Sequence, residues 1–391
     1  MGQRQNLEAR PARASFGPGT SDPTDRPGGD TDSTGDAAAS EPSDAGGDHG
    51  TSGRELRRRL IGFQKPILHK SLGQILTSIG GYLAVCAAMY ATVGISFWIA
   101  LALAPIAAGM LVRTFIVQHD CGHGAFFRSR RLNDGLGFVC SLLTLAPYPS
   151  WRRQHAGHHG VWNNLDRRQS GADIYSSCLT VDEYRALGPW QRRWYRISRN
   201  PIVANIILPP FVFLILYRVP FDMPSEWRRE RLAVHATNFA LAGLVVGVGF
   251  AVGFGHVAMV QLPVIVLASM LGVWLFSVQH RSERTVWSRQ GEWTFRTASL
   301  EGSTYLRLTP VLQWFTGNIG LHHVHHLNPR IPNYRLQQCY DNVADLRATP
   351  AMNLAAAFKA MFCVLWDERR HRMVSFRTAD RLNADSGRRA A

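Results

Sequence analysis

The residues best able to do chemistry in this 391-residue chain are histidines. Eight of the 15 form three short patterns: His119 and His123; His155, His158 and His159; His322, His325 and His326. Positions i, i+3 and i+4 of a helix share a face, so each pattern presents two or three imidazoles in one direction. Imidazole binds zinc, copper, iron and nickel. Eight nitrogens exceed the needs of one ion, so the spacing predicts two metal ions with open positions. Two irons can share the electrons of oxygen activation, which zinc cannot.

Four apolar runs are placed to position these histidines. They cover about residues 72–93, 95–117, 232–254 and 257–278. Each is near the ~20 residues that cross ~30 Å of hydrocarbon. The connectors within each pair lack Lys and Arg, whereas the outer ends carry many, which puts both connectors outside and both termini in the cytoplasm. The sequence therefore predicts an all-α integral membrane protein, with four transmembrane helices in two hairpins and a cytoplasmic helical cap that holds the histidines.

Two further apolar segments are predicted not to cross the membrane. Residues 137–147 are too short to cross a bilayer and suit an interfacial helix. Residues 201–219 are long enough, but Pro209 and Pro210 interrupt them. If this segment crossed the membrane, the histidine patterns would fall on opposite faces. We therefore expect it to be half-inserted or to lie on the surface.

The ends of the chain differ from its middle. Residues 1–52 are rich in Gly, Asp, Ser, Thr and Pro and are predicted to be a disordered polar tail. The membrane domain is expected over 53–345, followed over 346–391 by an amphipathic helix and a basic C-terminal tail. The apolar stripe of that helix would comprise Leu354, Phe358, Met361 and Leu365. Packing on the catalytic domain is favoured over membrane docking for this stripe.

Charge and cysteine content narrow the function class. Charged residues make up 18% of the chain, below the roughly 25% of a soluble protein. The net charge of +15 comes from 40 Arg and three Lys, yet no nucleic-acid-reading motif is present. Loops facing anionic lipid explain the charge better. The preference for Arg suggests GC-rich codons and a bacterial inner membrane, and six scattered cysteines fit a reducing compartment.

Taken together, the histidine patterns of the form HxxxH, HxxHH and HxxHH, separated by paired spans, resemble the membrane-bound fatty acid desaturases. The likeness extends to the stretches 300–303, 314–320 and 322–332 and to Val278-Gln279-His280, which are similar to the omega-6 (delta-12) acyl-lipid branch. It covers about residues 60–345. Two departures separate the chain from other branches. Phe276 replaces the Asn of the stearoyl-CoA branch, and His322 replaces the Gln that usually begins the third box of the front-end branch.

This resemblance implies a di-iron centre and assigns its ligands. The implied ligands are His119, His123, His155, His158, His159, His280, His322, His325 and His326. His323 occupies a variable position of the third pattern and is expected beside the ligands rather than among them. Asp120 is a candidate to orient a neighbouring histidine, although a solvated surface acid is as good an interpretation. Asn318 is a candidate to replace the amide that Phe276 removes.

The resemblance also implies an activity and its partners. The chain is expected to insert a cis double bond into a fatty acyl chain with O2 and two electrons, with delta-12/omega-6 selectivity. The electrons would come from a separate ferredoxin or cytochrome b5-type donor with its reductase, and the substrate from the membrane, carried by a lipid or by CoA. The depth of an apolar tunnel under the metal site would set the position of the double bond.

Two rival functions remain open from sequence. The first is a hydroxylase, epoxygenase or carotenoid-modifying oxygenase on the same scaffold, which sequence discriminates poorly. The second is a non-enzyme, a histidine-rich metal transporter. A transporter would need polar ligands along the spans. The four runs offer few, namely His235, Asn238 and Arg113 near their ends, which counts against it.

Overall fold

The computed structural model describes residues 51–168, 177–221 and 223–382, which are mostly helical. The predicted disordered tail, 1–52, lies outside the described residues except for Thr51 and Ser52, which begin the first helix. Residues 383–391 of the predicted basic tail also lie outside them.

Four helical stretches are long and apolar enough to cross a membrane, in agreement with the sequence. They are Leu68–Val93, comprising α2 (Leu68–Ile75), a π-helical turn (Leu76–Gly80) and α3 (Gly81–Val93); α4 (Phe97–Gly122); α10 (Arg228–Val252); and α11 (Phe254–Val278). Helix α4 continues past the predicted end of its span at 117. The added turn is stabilised by packing, because Gln118, His119 and Asp120 are all buried.

Short connectors join these helices in pairs. Residues 94–96 link α3 to α4, and Gly253 alone links α10 to α11. Gly253 has a φ of 91°, a conformation that favours glycine. Gly249 lies one turn earlier, where a Cβ would come within 2.4 Å of the Phe254 ring. Helix α3 packs along α4 and α10 along α11, so the two hairpins expected from the sequence are present.

In each hairpin the second helix, α4 in the first and α11 in the second, is the more deeply buried one. Half of the most apolar 18-residue stretch of α4 is buried, and so is 39% of the corresponding stretch of α11. The buried share is lower in the outer helices, 28% for Leu68–Val93 and 17% for α10. On α4 the buried face is built from small residues, including Ala100, Ala104 and Ala107, which let neighbouring helices approach closely. Helices α4 and α11 also pack against each other and so form the support of the site.

Shorter helices surround this pair. They are α1 (Thr51–Ile61), α5 (Arg130–Thr144), α6 (Tyr148–Val161), α7 (Val181–Ala186), α8 (Pro189–Ser198), α9 (Leu208–Leu214), α12 (Phe295–Leu300), α13 (Pro310–Phe315), α14 (His322–Leu327), α15 (Asn333–Asn342) and α16 (Leu354–Ala360). Single 3-10 turns cover Leu216–Arg218 and Ala344–Ala348. The apolar segment predicted over 137–147 is helical as far as Thr144, where it belongs to α5 and packs along α4.

The second apolar segment outside the main spans is bent. A π-helical turn, Val203–Ile207, precedes α9, and the stretch Val203–Arg218 meets α8 at 54°. By length and composition, α8 and the stretch Val203–Arg218 would make a fifth membrane-spanning segment only if both were counted as one bent helix. Proline at 209 and 210 starts α9 in its first turn, where the missing N–H costs least.

Five very short strands complete the described fold. They are β1 (Leu179–Thr180), β2 (Tyr305–Leu306), β3 (Ala351–Met352), β4 (Leu365–Asp367) and β5 (Arg372–Val374). Strand β4 pairs in parallel with β1 and antiparallel with β5, and β2 pairs in parallel with β3.

The predicted C-terminal amphipathic stripe is wrong in part. Helix α16 ends at Ala360, and Leu365 lies in strand β4 instead of on that helix. The buried face of α16 is formed by Ala357 and Ala360, whereas Phe358 is 59% exposed. Pairing of β4 with β1 and β5 satisfies backbone groups that a helix would have satisfied internally, and helical periodicity alone could not show this.

Candidate metal centre

The first histidine pattern lies at the end of α4. His119 is on the last turn of this helix and His123 caps it. Asp120 accepts hydrogen bonds from the backbone N–H and the side-chain amide of Asn333, both at 2.7 Å, and its Oδ1 lies 3.3 Å from Nδ1 of His119. The carboxylate is buried, so the alternative of a solvated surface acid is excluded.

The second pattern lies on α6. His155, His158 and His159 are buried on this helix, one turn beyond Trp151. The indole of Trp151 stacks on the His155 ring, with centroids 4.7 Å apart and planes 16° apart. This stacking fixes the plane of an imidazole whose Nε2 lies 3.2 Å from that of His159.

The third pattern forms the short helix α14, and His280 follows the end of α11. The backbone carbonyl of Gly302 lies 3.4 Å from Nδ1 of His280 and accepts a hydrogen bond from the indole of Trp162 at 2.8 Å. Gly302 is required here, because a Cβ would come within 2.2 Å of the Asn163 amide. The centroid of the Trp162 ring lies 3.8 Å from that of the His280 ring. The orientation of His280 is therefore fixed by the Gly302 carbonyl and by the Trp162 indole.

The nine histidines come together as two groups of nitrogen atoms. Within each group the candidate ligand atoms all lie within 4.8 Å of one another. The group of five contains His119, His123, His155, His159 and His325, and the group of four contains His158, His280, His322 and His326. Each HxxHH pattern is thus divided between the groups. The expectation that such a pattern presents all its imidazoles in one direction is wrong: positions i and i+4 serve one group and i+3 serves the other.

The spacing of the nitrogens fits metal ligation better than hydrogen bonding. Nε2 of His322 lies 2.9 Å from that of His280 and 3.1 Å from that of His326. Nε2 of His159 likewise lies 3.2 Å from that of His155 and 3.1 Å from that of His325. A neutral imidazole has a single N–H and cannot satisfy such converging contacts. Metal–imidazole bonds of about 2.1 Å at right angles would place neighbouring nitrogens about 3.0 Å apart.

The protonation state of the cluster suits a metal as well. Burial, reinforced by the neighbouring imidazoles, lowers the pKa of seven of these side chains well below the usual value: His123, His155, His159, His280, His322, His325 and His326. A neutral imidazole is the form that binds metal. Nε2 of His123 is buried with no hydrogen-bond partner in the described part of the chain, as an unused ligand atom would be.

His323 belongs to neither group, and the side-chain amide of Asn318 is hydrogen-bonded to other residues. Nε2 of His323 approaches the Leu346 carbonyl at 3.1 Å, so this ring faces away from the other histidines of α14. The Asn318 amide donates to the Asn333 carbonyl at 3.0 Å, and its oxygen accepts from Gln313 at the same distance. Asn318 therefore supports Asn333, the partner of Asp120. Asn333 was missed because it follows the third pattern by seven residues and carries no metal-ligand signature of its own.

An apolar cavity of about 190 Å³ lies directly beside the histidines. His119, His155, His158 and His322 line one part of it, so it reaches both groups. On α11 the lining residues run from Gln279 to Ile265, about 21 Å along a helix axis. A long apolar cleft ending at buried candidate ligand atoms is suited to a flexible hydrocarbon chain.

Comparison with known proteins identifies the family. The model of the family described as fatty acid desaturase matches residues 96–355. A fatty acid desaturase of Bacillus subtilis (strain 168) is 38% identical over 324 residues, covering 83% of this chain and 91% of the relative.

Two cyanobacterial proteins are more distant relatives. The sn-1 acyl-lipid omega-3 desaturase (ferredoxin) of a Synechocystis species is 28% identical, covering 59% of this chain and 63% of its own. The sn-1 oleoyl-lipid 12-desaturase of a Picosynechococcus species is 26% identical over 70% of this chain and 76% of its own. The family match over most of the chain, joined to the 38% identity, shows that this protein belongs to the fatty acid desaturase family of oxygen-dependent membrane oxidoreductases.

Proposed function

We propose that this desaturase inserts a cis double bond into a fatty acyl chain at two iron ions, one held by each histidine group. The observation that carries the proposal is the meeting of both groups with one apolar cavity. The proposed ligands are the nine histidines of the two groups, with His280 joining the group of four. His323 is proposed as a supporting residue and Asp120 as the group that orients His119.

The reaction removes two hydrogens from adjacent methylenes. With two electrons and two protons, one O2 leaves as two waters, and one C=C bond replaces two C–H bonds. Iron supplies the capacity to reduce O2 to an oxidant strong enough for unactivated C–H bonds. The protein holds the chain in the cavity so that one pair of carbons lies beside the histidines. The apolar walls, among them Phe115, Phe276 and Ile319, exclude water that would divert the oxidant.

The selectivity proposed is delta-12/omega-6. It rests on the likeness of the third histidine pattern and its flanks to that branch, and one relative is named a 12-desaturase. The electron donor proposed is a separate ferredoxin or cytochrome b5-type protein, and one relative carries ferredoxin in its name. We further propose a bacterial inner membrane with both termini in the cytoplasm, and a membrane domain bounded at about 53 and 345.

The experiment is expression of the full chain, with mass spectrometry of host lipids after derivatisation of double bonds. A new dienoic acid is expected, and the His155→Ala variant, which removes a ligand from the group of five, should make none. A monoene with its double bond elsewhere would correct the selectivity. A hydroxylated product would replace desaturation by the rival oxygenase chemistry on this scaffold.

A further inference from the structure

The group of four histidines borders a small core that is made mostly of tryptophan and sulfur. This tryptophan cluster consists of the buried side chains of Trp162, Leu165, Cys178, Trp287, Trp366 and Met373. Cys178 Sγ and Met373 Sδ lie 4.0 Å apart, and Cys363 packs against the cluster from a less buried position. Indole, thiol and thioether groups give up electrons more readily than aliphatic side chains do. The cluster is therefore a core of oxidisable groups.

The rings of the cluster lead away from the histidines. The centroid of the Trp162 ring lies 3.8 Å from that of His280 and 4.7 Å from that of His158. The Trp287 ring comes next, with its centroid 5.3 Å from that of Trp162. Trp366 belongs to the same cluster, and its ring lies 6.3 Å from that of His371, which is exposed. A series of packed indoles thus runs from the group of four towards the protein surface.

Trp287 makes no use of its indole nitrogen for hydrogen bonding. The residue is 3% exposed, and its Nε1 has no partner in the described part of the chain. An unsatisfied buried donor lowers stability, and phenylalanine in this position would avoid that loss. Trp162 differs, because its Nε1 donates to the Gly302 carbonyl at 2.8 Å. The presence of an indole at 287 therefore indicates a role for the ring beyond packing.

The described residues offer no comparable series at the group of five. Trp151 stacks on His155, and its other ring contacts are with Phe115 and His119. Phenylalanine gives up an electron far less readily than tryptophan, so the oxidisable rings end at Trp151, which lines the cavity. The series of indoles that leads outward begins at the group of four.

The proposed chemistry creates a need for such a series. Reduction of one O2 to two waters takes four electrons and four protons. In desaturation, the donor supplies two electrons, solvent supplies two protons, and the two C–H bonds supply the rest. When no acyl chain fills the cavity, the last two electrons have no source, and oxidising power remains beside the histidines. It would then be spent on the protein itself.

We propose that the tryptophan cluster supplies these two electrons, one at a time, and so protects the site when O2 reacts without substrate. Trp162 gives an electron to the site, Trp287 reduces Trp162, and Trp366 reduces Trp287. At the surface a low-molecular-weight thiol reduces Trp366. Two thiols lose their S–H bonds and form one disulfide, which releases the two electrons and two protons that complete two waters. This inference rests on the proposed desaturase function and adds a protective activity to it.

The first test looks for the radical. The full-length chain, loaded with iron and labelled with ring-deuterated tryptophan, is placed in nanodiscs of diphytanoyl phosphatidylcholine, whose branched chains replace the substrate. It is reduced by two electrons without O2, separated from the reductant, mixed with O2 and frozen rapidly. Electron paramagnetic resonance is expected to show a tryptophan radical. Prior addition of the acyl substrate found in the expression experiment should abolish the signal, because its methylenes then supply the electrons.

The second test maps where oxidation accumulates over repeated cycles without substrate. Peptide mass spectrometry should find oxidised indole at Trp287 and Trp366, although both are buried. Trp190 and Trp194, which are 64% and 53% exposed, should remain intact. Preferential oxidation of this exposed pair would assign the damage to peroxide in solution and contradict the proposal.

Three variants test the series itself. Trp287→Phe interrupts it without removing a hydrogen bond, so oxidation at Trp366 should disappear and iron loss per cycle with thiol present should rise about fivefold. Trp287→Tyr should restore both and give a tyrosyl signal. Trp274→Phe is the matched control, because its Nε1 is also buried without a partner while its ring contacts Phe358 instead of a histidine. This control should behave as the unmodified chain does.

Two results separate this inference from the function on which it rests. A chain that forms the dienoic acid but shows no tryptophan radical without substrate would overturn the inference and leave the desaturase function standing. Equal behaviour of Trp287→Phe and Trp274→Phe would overturn it in the same way. A chain that consumes no O2 with or without substrate would overturn the function and the inference together.

Discussion

The two histidine groups share helices α6 and α14 but offer different numbers of nitrogens. Helices α6 and α14 each supply both groups, since position i+3 lies about 60° from position i and about 100° from position i+4 around the axis. His155 and His159 thus belong with His325, and His322 and His326 with His158. The repeated HxxHH spacing therefore lets one helix contribute imidazoles to both candidate groups, whereas HxxxH on α4 contributes to one.

The surroundings of the two groups differ as well. A buried carboxylate, Asp120, stands beside the group of five. The group of four has the Gly302 carbonyl at His280 and the ring of Phe276, 5.0 Å from that of His158. The group of five thus combines a surplus nitrogen with a nearby negative charge. This difference predicts that the two sites will tolerate substitution unequally.

The largest effect is expected from His280→Ala. It leaves three nitrogens in the group of four, and we expect the iron content to fall from about two ions to about one per chain, with loss of turnover. Mass-spectrometric metal analysis of the purified full chain measures this. If the variant kept both irons, His280 would not be a ligand and the group would not need four nitrogens.

His123→Ala is expected to reduce the iron content less than His280→Ala does. It leaves four nitrogens in the group of five, as many as the group of four has without any substitution. Both irons should remain when iron is in excess, with an affinity at that site about 100-fold weaker. Titration with a competing chelator measures the loss. An iron deficit as complete as that of His280→Ala would contradict the surplus-ligand interpretation.

Asp120→Asn tests the charge beside the group of five. The amide keeps the shape but removes the negative charge and one acceptor from His119, so iron affinity at this group should fall about tenfold, while the other group is unchanged. Asp134→Asn is the matched control, because Asp134 is 42% exposed and pairs with Arg152 at 2.6 Å. A loss of the same size in both variants would mean that Asp120 has no special role.

His323→Gln should have the smallest effect. Its ring is bonded to the Leu346 carbonyl, and glutamine can supply the same donor. Iron content should stay at about two per chain, turnover within about twofold, and the unfolding free energy should drop by about 1 kcal/mol at most. Metal analysis and thermal unfolding measure these. Loss of iron would place His323 among the ligands.

The elements and the ligand candidates could be predicted because their signals are local. The apolar runs predict spans on length alone, and the spacing of His155, His158 and His159 reflects a helix period. His280 has no local signal and was found only through the family resemblance. Its position becomes physically clear once Gly302 and Trp162 are seen on either side of it.

What could not be predicted depends on contacts between distant segments. The sequence spacing gives the angle around the helix axis between His158 and the other histidines of α6. It does not show which nitrogens of other helices lie beside each of them. Asn333 reaches Asp120 across more than 200 residues of chain. Leu365 continues a helical apolar pattern and yet pairs as a strand, because Leu179 and Val374 offer it a ladder. Such pairing is decided by tertiary packing, which overrides local preference.

Each histidine group is proposed to hold one iron, in surroundings that differ between the two. Mössbauer spectroscopy of the full-length chain, purified after growth on 57Fe, tests it directly. Two quadrupole doublets of equal area are expected, with about two irons per chain. A single iron per chain, or zinc in place of iron, would contradict the account.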